Sequence, residues 1–188
     1  MEAFEYFVVM SSLILGLGIA QILMGFSDLI AHYSQVRFSL THIIYAIVVF
    51  IIHLQDWWYS YQYSLQIENW TFLLTIGLFT FHIILFLQAR ILFPTGARSQ
   101  ETDMVKYFGE NWRLLYSLGS LTVLISIIKN LTLSNHTLIE IWPQPLYLAI
   151  YLAFILLNVK NYYAHVTFVT LQLMIWIIII ATDPYVIH

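Results

Sequence analysis

Two histidines and an aspartate lie on one stripe of an otherwise apolar run, and that stripe is where this sequence can hide chemistry. Between residues 42 and 60, a helical wheel places His42, Tyr45, Ala46, Val49, His53, Asp56 and Ser60 within about 40° either side of a single line. The remaining positions of the run are mostly Ile, Val and Phe, as lipid or apolar neighbours require. A carboxylate set between an imidazole and a hydroxyl can hold a proton or a small cation, and imidazoles titrate near neutrality. With a glutamine and a third histidine from other runs, the candidate pathway for a proton, a small cation or a small polar solute is Gln21, His53, Asp56 and His82.

The same histidines allow a second chemistry. His53 and His82 fall near the middle of consecutive antiparallel runs, and His42 and His165 fall near the ends of theirs. Two cross-helix pairs about 16 Å apart along the membrane normal are able to ligate two b-type haems. A third reading makes the polar residues packing glue in an accessory or scaffold subunit, at about 0.6 kcal/mol per interhelical hydrogen bond. The leading reading needs no cofactor, so haem b belongs to the alternative alone. No HExxH, GxSxG or P-loop pattern is present, so no catalytic residue is assigned. His53 with Asp56 is the sole carboxylate and histidine pair at i, i+3, and cysteine is absent, so no metal site is expected.

Depth suggests which charges meet. With alternating topology, Asp28 and Arg90 lie about one turn from one membrane face, and Asp56 and Lys129 lie toward the other. Two depth-matched ion pairs would neutralise the costliest groups in the interior.

These side chains need helices that cross a bilayer to position them. The chain is 61% hydrophobic and 9% charged, against about 25% charged in soluble domains. That balance excludes a water-soluble fold, and a net charge of −3 gives no reason to expect nucleic acid. Six runs suit spans, at roughly 5–31, 39–63, 70–93, 112–134, 144–159 and 161–183. The fifth is short and opens at Pro143 and Pro145. The expected architecture is a single all-α transmembrane domain over residues 1–188, a bundle of six helices with both termini outside. Arg37, Arg90, Arg98, Lys106, Arg113 and Lys160 then gather on the cytoplasmic face, with Lys129 alone opposite. Trp57, Trp58, Tyr59, Tyr61, Tyr63 and Trp70 form an aromatic belt at the outer face.

Each span has a polar face on the wheel. The first aligns Gln21, Gly25, Asp28 and His32, the third Thr71, Thr75 and His82, and the fourth Gly119, Thr122, Ser126, Lys129 and Asn130. The fifth aligns Tyr147, Tyr151 and Asn158, and the sixth His165, Gln172, Trp176 and Asp183. Ser11, Gly18 and Gly25 recur every seven residues, a flat strip for a helix of the same chain or of a second copy, so a homo-oligomer is expected. In the long connection, Met104, Phe108 and Trp112 recur at i, i+4, i+8, which suits a short amphipathic helix lying in the interface. Residues 94–113 are accordingly where a membrane or cytoplasmic partner is expected.

Two resemblances can be read from short motifs. LGLGIAQ at Leu15 to Gln21, HLQDWW at His53 to Trp58 and LFP at Leu92 to Pro94 resemble a group of small uncharacterised bacterial membrane proteins. That likeness covers the first three spans and implies a bacterial inner membrane. Phe26, Ser27 and Asp28 resemble the Phe-Ser-Asp of the first helix in the lysosomal potassium channel family and its bacterial six-helix relatives. Ile22 stands where that family carries an arginine shortly before the tripeptide, and here the tripeptide ends the span.

Overall fold

The computed structural model describes residues 3–94 and 102–182. Arg98, Glu101 and Asp183 lie outside the described residues. The chain runs α1 (Ala3–Ala31), β1 (Val36–Arg37), α2 (Leu40–Tyr59), α3 (Gln62–Gln66), α4 (Phe72–Ile91), β2 (Thr102–Asp103), α5 (Met104–Thr132), α6 (Pro143–Leu156) and α7 (Tyr162–Thr182). Five helices, α1, α2, α4, α5 and α7, are long and apolar enough to cross a membrane. The fourteen residues of α6 rise only about 21 Å.

Polar residues start several of these helices. The Ser39 hydroxyl accepts from the His42 amide at the head of α2, and Thr71 does the same for Leu74 at the head of α4. Asp103 accepts from the amides of both Val105 and Lys106 at the start of α5. At the far end of α6, Asn158 adopts φ 51°. The Val159 and Asn158 amides reach back to the Phe154 and Ile155 carbonyls, the paired bonds of a Schellman stop.

The centre of the bundle is α2, which packs against α1, α4, α5 and α7. The helix α1 runs parallel to α4, since Phe7 meets Phe79 and His82 while Gly18 lies by Ala89 and Gly25 by Phe93. The helix α6 runs opposite to both α5 and α7. Its Phe154 and Tyr151 meet Tyr116 and Gly119 of α5, and Phe154, Tyr151 and Tyr147 meet His165, Phe168 and Gln172 of α7. One end of the bundle thus carries Arg37, Arg90, Lys106, Arg113 and Lys160, and the other carries Trp57, Trp58 and Trp70; they are named here the basic and aromatic ends.

One expectation changes, and two further contacts define the packing. The amphipathic stretch is not a separate interfacial helix, because Met104 to Thr132 is one continuous helix of 29 residues. Its row of Met104, Phe108, Trp112 and Tyr116 turns into the core, beside His42, His165 and Tyr151. That apolar face is therefore filled from within the chain. The strip of Ser11, Gly18 and Gly25 is buried as well, and its neighbours belong to the same chain. A Cβ at Gly18 would lie 2.5 Å from His53 Nε2, and one at Gly25 would overlap the Phe93 ring. Finally, β1 and β2 pair in parallel, Val36 opposite Thr102 and Arg37 opposite Asp103. An Arg37 to Asp103 ion pair of 3.2 Å tightens that junction at the basic end.

Candidate functional site

Near the aromatic end, three helices bring charge to one point. Asp56 of α2, 7% exposed, receives Lys129 of α5 on Oδ1 at 2.6 Å. His82 of α4, 1% exposed, places Nε2 2.8 Å from Asp56 Oδ2, at an angle short of hydrogen-bond alignment. The Lys129 ammonium lies 3.9 Å from the Phe81 ring centre and 5.3 Å from that of Tyr63, so aromatic faces replace the water it has lost. One turn below, the fully buried His53 donates from Nδ1 to the Val49 carbonyl at 2.7 Å, and its other nitrogen packs on Gly18. The Nδ1 of His82 is buried with no hydrogen-bond partner among the described residues. With Nε2 turned to a carboxylate, that nitrogen carries the lone pair, and together with the equally unpartnered Nε2 of His53 it is a free proton acceptor of the cluster.

A second polar region lies toward the basic end, and it is neutral. Tyr45 donates to the Leu115 carbonyl at 2.9 Å and accepts from Gln88 Nε2 at 2.7 Å, while Thr122 donates to Gln88 Oε1 at 3.3 Å. Tyr151 exchanges hydrogen bonds with the Gln172 side chain, and its ring with the Tyr45 hydroxyl closes on Gly119. His165 donates from Nε2 to the Val159 carbonyl and accepts on Nδ1 from Tyr116. Every one of these links ends on a partner.

The structure gathers His53, Asp56, His82 and Lys129 but leaves other expected site residues apart. Gln21 is half-buried on α1 and takes no part in the hydrogen bonds of the cluster. Asp28 and Arg90 are both exposed and do not pair, because a shared depth does not give a shared azimuth. The buried face of α1 is instead Phe7, Ser11, Leu15, Gly18, Ile22, Gly25 and Leu29, where small residues allow close approach. Ser27 is exposed too, so the Phe-Ser-Asp tripeptide points largely away from the core. Tyr63 lies beneath Lys129 and is buried, so it does not belong to the belt.

Of the four candidate haem ligands, His165 has both nitrogens hydrogen-bonded, whereas His42, His53 and His82 each keep a buried nitrogen without a hydrogen-bond partner among the described residues. A bis-histidine site needs two free nitrogens facing across a gap the width of a macrocycle. His82 Nε2 turns to Asp56. His42 is enclosed by the rings of Phe93, Tyr107 and Phe108. Among the described residues no three His, Cys, Asp or Glu side chains gather into a metal site.

Gln88, Tyr116 and Phe7 were not singled out from sequence. A signal existed for the first two. Phe81, Leu85 and Gln88 share one face of α4, and Tyr116 extends the Met104, Phe108, Trp112 row by one more turn. Neither a family model, nor a curated protein, nor a solved structure matches the chain, so function is argued from this geometry.

Proposed function

We propose that this chain is a multi-spanning membrane protein that carries protons across its bilayer, with Asp56 and His82 as the transfer pair and Lys129 as the resident counter-ion. The observation that carries the reading is the Asp56 carboxylate, buried in the bundle between an ammonium and an imidazole whose second nitrogen is vacant. Structural glue alone has little use for a vacant buried acceptor, which costs about 1–3 kcal/mol. A hydrated metal cation would have to displace the ammonium that already sits at 2.6 Å. A proton needs no such space. In this reading α6 makes the sixth crossing, the basic end faces the cytoplasm of a bacterial inner membrane, and the neutral network closes the path on that side.

The test is proton flux into liposomes carrying purified protein and a trapped pH dye. Asp56→Asn keeps the shape of the side chain and removes its charge, and is expected to abolish flux. Flux equal to the parent's would overturn the reading. The satisfied hydrogen bonds of the network of Tyr45, Gln88, Tyr151 and Gln172 favour a second reading, a static accessory subunit. It predicts no flux in the parent chain and recovery of a membrane partner in stoichiometric amount.

A further inference from the structure

A recess of about 610 Å³ opens at the aromatic end, lined by Phe4, Glu5, Glu68, Asn69 and Trp70 among others. It has room for several water molecules at about 30 Å³ each. Behind its Trp70 wall lies Phe7, 1% exposed, whose ring centre is 5.1 Å from that of Trp70 and 5.8 Å from that of His82. Two aromatic rings in series, Trp70 and Phe7, therefore separate an acid-lined, water-accessible recess from the imidazole beside Asp56. We propose that the recess is the vestibule that gathers protons, as hydronium, for the buried pair, and that Phe7 is the gate between them. The inference rests on the reading of Asp56 and His82 as the transfer pair.

The chemistry of the lining fits that task. Glu68 gives the recess a negative field that concentrates small cations and repels anions. The faces of Phe4 and Trp70 add a weaker attraction for cations. Behind Phe7, the rings of Phe79 and Phe81 flank His82 and keep bulk water out.

The chain has no cysteine, so introduced thiols report access without background. The full chain in lipid nanodiscs is labelled with a cationic trimethylammonium-ethyl and an anionic sulfonato-ethyl methanethiosulfonate. Asn69→Cys, in the recess, is expected to react about tenfold faster with the cation, with the preference reduced by Glu68→Gln. His82→Cys and Leu78→Cys, both behind Phe7, are expected to react slowly and to accelerate at least about tenfold when Phe7→Ala is added. The vestibule falls if Asn69→Cys reacts alike with both reagents. The gate falls if Phe7→Ala leaves both inner cysteines unchanged. Labelling needs no flux, so active Asp56→Asn protein would end the proton reading while leaving the access route measured on its own terms.

Discussion

The charged cluster at the aromatic end and the neutral network toward the basic end are assembled from similar side chains on the same helices, yet they are settled differently. In the network, Tyr45, Gln88, Thr122, Tyr151, Gln172 and His165 find partners, and the hydroxyl of Tyr45 ends its chain of bonds on a backbone carbonyl. In the cluster, two full charges meet, and His53 and His82 each keep a buried nitrogen without a hydrogen bond. Lipid tails are as apolar as leucine, so neither region is driven inward by hydrophobic burial. The first is held by matched hydrogen bonds, and the second by the cost of separating its charges.

The sharpest way to break this contrast is to remove one charge. Lys129→Leu strands Asp56 in the interior and is expected to cost about 3–5 kcal/mol, with the Asp56→Leu and Lys129→Leu double variant regaining most of it. Unfolding titrations in mixed micelles measure both, and a silent Lys129→Leu would mean that the pair holds nothing. Pressure on the cluster from α1 comes next. Gly18→Ala pushes its new methyl onto His53 and is expected to cost about 1–3 kcal/mol in the same titration. In the network, Tyr45→Phe leaves the Leu115 carbonyl and a Gln88 donor unmatched. A loss of about 1–2 kcal/mol is expected, with proton flux close to the parent's.

The smallest effect lies outside the spans. Hydrogen bonds from the Lys106 amide, then the Arg37 charge and the Val105 amide, hold the Asp103 carboxyl below the usual aspartate range. A carboxylate with a lowered folded-state pKa stabilises the junction above its ordinary value, and that contribution is lost as pH falls through the lowered one. The Val105 and Lys106 amide resonances are expected to move with that titration, and to stay still in Asp103→Asn.

Sequence made the inward face of α2 legible, since His42, Tyr45, Ala46, Val49, His53, Asp56 and Ser60 are all buried. A helix surrounded by neighbours must turn its polar stripe inward, and periodicity alone reports that. The meeting of Asp56 with Lys129 followed from depth, but the same reasoning failed for Asp28 and Arg90. Depth is set by counting residues, whereas azimuth is set by which helix packs where. On α1 the close fit of Gly18 and Gly25 against α2 and α4 decided the rotation and left Asp28 outside. Gln88 was hidden for a related reason. Its partner Tyr45 lies 43 positions away on another helix, beyond the reach of any local pattern.

The unbroken course of Met104 to Thr132 has a mechanical consequence. Its first turn is moored to the α1–α2 turn by two backbone strands and a surface ion pair, and Lys129 rides about 38 Å further along the same rod. The helix runs without a break between the two points. A pull on the mooring is delivered as torque at the ammonium, on the far side of the protein.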